Sequence, residues 1–241
     1  MRIRNLMALG LAVAVAACSD STSLPGFDSE LLDADVALVA ADGVMSDLAS
    51  SAALMADPGS TRGGMGERNV TVTFFDAAGN EQDSLDDLTT ATIVRSSSIS
   101  REASRDGWTA SVEASREQTI TGLEGEETSR TVNGSGTEHV VRSLHSDDNG
   151  TRSYDMTSAV TWNDVVHGVP RSENPYPLSG STTRAVTITI VNGPNGDETR
   201  SRDVVVTFDG TQFATLTLDG ETMEIDLSTR SGRSPFRRGN R

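Results

Sequence analysis

The chain has 241 residues, with 20 basic against 35 acidic side chains and a formal net charge of −15. An acidic surface repels phosphate backbones, so we expect no nucleic-acid partner. One cysteine excludes an intramolecular disulfide, and an aromatic content of 4% predicts a thin core built from aliphatic residues.

The first seventeen residues have the layout of an export signal. Arg2 and Arg4 form a positive start, and Leu6 to Ala17 is an uncharged, mostly apolar run of twelve residues. Signal peptides use an apolar region of about 7 to 15 residues, whereas a helix that spans a bilayer needs about 20. Residues 1–17 are therefore predicted to be a cleaved signal peptide, and their removal leaves a net charge of −17.

The run ends in Val15-Ala16-Ala17-Cys18, which resembles the lipobox of bacterial lipoproteins. The resemblance implies cleavage before Cys18 and attachment of diacylglycerol and further acyl chains such as palmitate to that residue. Two or more chains anchor a protein stably. Ser19 follows the cysteine, which by analogy with the sorting rule of enteric bacteria favours the outer membrane. The alternative is an ordinary signal peptide and a chance cysteine.

Residues 18–28 are predicted to be a flexible tether, and residues 29–57 a helical segment with apolar residues near helical spacing. The segment is either one helix or two short ones that break around Asp42-Gly43. It either covers a sheet or lies on the membrane, and its exclusively acidic charges favour the sheet. The glycines of Gly63–Gly66 lie between helix and strand, which is the wrong order for a phosphate loop.

From 69 to 229, apolar and polar residues alternate, and turn sequences such as Asp219-Gly220 separate the runs. The pattern predicts a mainly β domain, an open, curved antiparallel meander of eight to ten strands that resembles a half-barrel. The middle, Arg116 to Leu144, is predicted to be polar on both faces and partly exposed. Residues 230–241 carry five arginines and are predicted to form a disordered basic tail.

No motif predicts chemistry. His139 and His145 can share one face of a strand, but no third metal ligand is evident near them or near His167. Gly134-Ser135-Gly136 lacks the frame of a nucleophile elbow, and the pair Asp86-Asp87 lacks a recognisable cleft. The turn Asp147–Gly150 could hold calcium but is also ordinary turn chemistry. We expect no enzyme activity, no resident metal and no cofactor.

The first hypothesis is a non-catalytic lipoprotein of the cell envelope, held to the membrane through lipidated Cys18, that is structural or binds an envelope protein or a lipid. The alternative is a carrier or chaperone of hydrophobic cargo, and an enzyme is the third option. The inner face of the sheet discriminates between them. A scaffold closes on the helix, whereas a carrier needs a cavity of about several hundred Å³. The residues concerned are Trp108, Met156, Trp162, Ile188, Val206 and Leu216.

Overall fold

A computed structural model describes residues 29–56, 67–105, 107–123, 125, 127–146, 150–193 and 196–228. The predicted signal peptide, Cys18, the predicted tether, the glycine-containing segment 63–66 and the predicted basic tail lie outside the described residues. The elements are α1 (Ser29–Ala56), β1 (Glu67–Asp76), β2 (Glu81–Gln82), β3 (Thr90–Arg105), β4 (Trp108–Thr121), β5 (Ser129–Ser146), β6 (Gly150–Gly168), β7 (Pro177–Gly193), β8 (Gly196–Thr207), β9 (Phe213–Leu218) and β10 (Glu221–Asp226).

All ten strands form one open antiparallel sheet in the order β10-β9-β8-β7-β6-β5-β4-β3-β1-β2. Each strand pairs with its neighbour in the chain, except that β1 lies between β2 and β3. The predicted open meander is confirmed, with ten strands. Asp219 and Gly220 connect β9 to β10 with φ values of 48° and 94°. Two positive φ angles are the geometry of a type I′ hairpin, as predicted for this pair.

The two faces of the sheet differ in environment. Helix α1 covers one face, which we call the inner face, and the opposite face, the outer face, is largely exposed. Strand β4 shows the alternation directly, because Trp108, Val112 and Ala114 are buried while Thr109 and Ser111 are exposed. Successive side chains of a strand point to opposite faces, so one covered face yields this pattern.

Helix α1 runs unbroken through Gly43, so the predicted alternative of two short helices is wrong. A Cβ atom at Gly43 would lie 2.7 Å from Nη2 and 2.8 Å from Cζ of Arg184. The glycine therefore marks the contact of the helix with a sheet side chain, not a break. The buried hydrophobic residues of the helix are small or medium in size: Leu32, Val36, Ala37, Ala40, Ala41 and Val44.

The expectation of partial exposure for the middle of the chain is wrong for the inner face. Strands β4 and β5 lie at the centre of the sheet, and Arg116, Gln118, Glu138 and Arg142 of these strands are 1–6% exposed. A stretch that is polar on both faces suggests solvent on both sides, but here α1 and neighbouring inner-face side chains bury one polar face. The core also contains both tryptophans and Tyr154, so it is not purely aliphatic.

Replacing Gly43 with Ala tests the helix contact. Alanine is the better helix former by about 1 kcal/mol, yet the added methyl group must displace the buried guanidinium of Arg184. We expect G43A to lower the free energy of unfolding by about 1–3 kcal/mol in urea denaturation. The matched control is Ala34→Gly at an exposed position of the same helix, where only propensity changes. A gain in stability for G43A would contradict this packing.

Candidate functional site

Four charged side chains form a cluster between α1 and the sheet, which we call the ion cluster: Asp47, Arg116, Glu138 and Arg184. The Nε of Arg116 donates to Oδ1 of Asp47 at 2.6 Å, and Nη2 of Arg184 donates to Oδ2 at 2.6 Å. Nη1 of Arg184 also donates to Glu138. The side chains of all four are 2–5% exposed. Two positive and two negative charges balance one another out of contact with water.

The register of the sheet brings the two arginines together. Arg116 in β4 lies opposite Gly136, Gly136 opposite Val160, and Val160 opposite Arg184 in β7. A Cβ at Gly136 would lie 2.5 Å from the carbonyl oxygen of Ser115 and 3.3 Å from the Trp162 ring. Because Gly136 lacks that atom, the Trp162 ring fits beside it, 5.9 Å from the guanidinium of Arg116.

The electrostatics of Asp47 reflect two opposed effects. Burial raises the pKa of the Asp47 carboxyl, while the charges of Arg116 and Arg184 act to lower it. The Asp47 carboxylate is shielded from solvent, and each of its oxygens accepts a hydrogen bond from a guanidinium group. Because its two oxygens bond to two strands, the Asp47 carboxylate links the helix to the sheet.

Two more acidic residues of α1 fasten its first half. The hydroxyl of Tyr154 donates to Oδ2 of Asp35 at 2.7 Å, and Nε of Arg202 donates to Oδ1 of Asp33 at 2.6 Å. The Tyr154 ring packs against Trp108 with ring centroids 5.8 Å apart. The acidic helix thus meets basic or hydroxyl groups of the sheet along its length.

The inner-face side chains that α1 covers are well buried. The six residues expected to discriminate scaffold from carrier are 0–7% exposed. A gap next to Asp47, Trp162 and Thr182 has a volume of only about 10 Å³. That is about the room needed by one water molecule.

His139 and His167 lie in different environments of the sheet. His139 lies on the outer face, where its Nε2 is 2.8 Å from Oδ1 of Asp155 and both side chains are nearly half exposed. His145 is in the same strand, but its side chain is outside the described residues. His167 lies in β6 and is 4% exposed. Within the described ranges, no group of three or more His, Cys, Asp or Glu is placed to hold a metal ion.

The remaining candidates have local roles or fall outside the structure. Gly134-Ser135-Gly136 lies within β5, where the glycines allow close packing. Asp86 accepts hydrogen bonds from the backbone amides of Leu88 and Thr89, and these bonds lower the pKa of its carboxyl. Residues 147–149 of the calcium candidate are outside the described residues.

The outer face of the described chain carries two grooves. A groove of about 890 Å³ crosses the middle strands, and its polar lining includes Ser115, Thr137, His139 and Thr157. A second groove of about 490 Å³ lies nearby. Hydroxyl groups bond across strands here, as between Ser115 and Thr137 at 2.9 Å. The grooves are lined chiefly by small side chains, many of which carry hydroxyl groups.

The described residues define the class of fold: an open ten-stranded antiparallel sheet that is covered on one face by an acidic helix. Comparison with protein families, with curated proteins and with solved structures gives no match. Among the described residues, no helix has the length and apolar character required to cross a bilayer.

Our sequence reasoning missed the ion cluster. A signal was present, because Arg116 continues the buried series of Trp108, Val112 and Ala114, and Arg184 precedes Val186 and Ile188 in the same phase. Both strands thus place an arginine in phase with core residues, and the helix carries acidic residues and no basic ones. This combination indicates buried ion pairs between the strands and the helix.

Replacing Asp47 with Asn tests the ion cluster. The change leaves two buried guanidinium groups without their shared charge partner, and breaking a buried ion pair costs about 3–5 kcal/mol. We expect a loss of that size in the free energy of unfolding from urea titration. Asp33→Asn is the matched control, since the Asp33 carboxylate is 38% exposed and its loss should cost about 1 kcal/mol or less. Equal losses would refute the cluster as the main fastening.

The stability of the chain should fall in mild acid because of His167. Burial, with help from the charge of Arg171, lowers the pKa of His167 from 6.5 to about 4. Below pH 6.5 His167 binds a proton in the unfolded chain, whereas in the folded chain it does so only below about pH 4. The contribution of His167 to the free energy of unfolding is therefore complete above pH 6.5 and is lost on acidification. The loss is about 2–3 kcal/mol between pH 7.5 and 4.5.

The measurement is urea unfolding at both pH values. His167→Gln should flatten the pH dependence by that amount, whereas His139→Gln, a change on the half-exposed outer face, should retain it. Parallel pH profiles for wild type and H167Q would show that His167 titrates normally.

Proposed function

We propose that this protein is a lipoprotein of the cell envelope, anchored through acylated Cys18, whose β domain acts as a non-catalytic structural or binding module. The observation that carries the proposal is the series Val15-Ala16-Ala17-Cys18 directly after a twelve-residue apolar run and a positive start. The lone cysteine of the chain occupies the position where such lipoproteins carry their lipid. Ser19 favours the outer membrane as the location.

The packed interior supports a structural or binding role over the carrier alternative. Hydrophobic cargo needs a cavity of about 300–1,000 Å³, and the gap recorded next to Asp47 measures about 10 Å³. The larger grooves lie on the outer face and are lined mainly by small, often polar side chains. Cargo between helix and sheet would require the ion cluster to separate, at the cost of exposing or orphaning four charges.

The binding role is best supported on the outer face. Its hydroxyl-rich grooves cross the central strands, whereas the inner face is occupied by α1. The net charge of the mature chain argues against anionic partners such as nucleic acid. An envelope protein is the partner that we propose for this face.

Replacing Cys18 with Ser tests the anchor. We expect the wild-type protein expressed in a Gram-negative host to sediment with membranes, and the N-terminal peptide that begins at Cys18 to carry the mass of the acyl chains. C18S should lose that mass and move to the soluble fraction, because a single thiol carries the attachment.

Ser19→Ala is the matched control and should still be acylated and membrane-bound. Persistent membrane sedimentation of C18S after a high-salt wash, or a mature N-terminus at another residue, would refute the proposal.

A further inference from the structure

We infer that the anchored protein stands with one particular end of its sheet towards the membrane. The end where β6 begins at Gly150, the membrane end, lies near the bilayer, and the end where β6 stops at Gly168, the distal end, points away. This inference rests on the proposed anchoring through Cys18 and deepens it, because it states which surfaces a partner can reach.

The direction of α1 follows from its contacts. Asp35, near the start of the helix, bonds to Tyr154, four residues after the start of β6. Asp47, twelve residues later, lies with Trp162 and Val165 near the end of that strand. The helix therefore runs roughly in the direction of β6, and its first residue, Ser29, lies towards the membrane end.

The segment from Cys18 to Ser29 is shorter than the sheet. Its eleven residues reach at most about 40 Å when fully extended. From Tyr154 to Gly168 the fourteen residues of β6 cover about 45 Å. The tether is thus too short to let the domain invert and place its distal end on the bilayer.

The fastening of α1 is what makes the tether short. If the helix left the sheet, the flexible connection would run from Cys18 to Glu67, a stretch of 49 residues. Such a chain has an average span of about 40 Å and a far longer reach, enough for any orientation. The ion cluster and the Asp35–Tyr154 bond hold the helix in place and thereby confine the anchor to one end of the sheet.

Two fluorescent labels, placed near the two ends of β3, test the inference. Ser104, near the end of β3, pairs with Thr109 in a row of the sheet at the membrane end. Leu88, just before β3, is 83% exposed and lies at the distal end. The full-length lipidated protein with either Ser104→Cys or Leu88→Cys, labelled with a fluorescent donor, is placed in phosphatidylcholine vesicles that carry an energy acceptor on the headgroups.

We expect energy transfer to be roughly twofold or more higher from the label at 104 than from the label at 88, given the tether length. Inserting a Gly/Ser stretch that triples the tether should reduce the difference, because the domain can then rotate freely. Asp47→Asn, combined with Asp35→Asn, should reduce the difference as well, because it removes the contacts that hold the helix on the sheet.

The failures are distinguishable. Vesicle-bound, acylated protein with equal transfer from both labels, or with higher transfer from 88, would overturn the orientation and leave the anchor intact. Protein that carries no acyl mass and does not sediment with vesicles would overturn the proposed function, and the orientation with it.

Discussion

The buried contact of Asp47 with Arg116 and Arg184 is the interaction on which the rest of the structure depends. The inner face of the sheet carries arginines that could not remain in a dry interface without a partner charge. Helix α1 brings that charge, and Gly43 lets the helix approach closely enough to deliver it. The helix is therefore an integral part of the core, and the sheet without it would present a basic, half-apolar trough.

The same contact has consequences for function. Helix α1 covers the inner face, and the larger described grooves lie on the outer face. In the anchoring that we propose through Cys18, the position of the lipid relative to the sheet depends on how firmly the helix is held. Under that proposal the ion cluster, which stabilises the fold, also determines which surfaces stand away from the membrane.

Several features of the open sheet limit the pairing of its exposed strands with another chain. Its outer face is covered with hydroxyl groups, some of which bond to each other, as Thr109 does with Ser143 at 2.9 Å. One edge strand, β10, has only six residues and exposes Glu221 and Glu224. At the other edge, β2 covers part of β1. Short, charged edges discourage pairing with another chain.

The sequence by itself determined the elements and their order. Period-two alternation, the Asp219-Gly220 turn and the single helical segment predict an open antiparallel meander, because these signals act between residues close in the chain. The extent of α1 and the burial of Arg116, Glu138 and Arg184 were decided only by the tertiary structure. The groups of the ion cluster lie as far as 137 residues apart, and a polar residue on a strand looks the same in sequence whether water or a helix covers it.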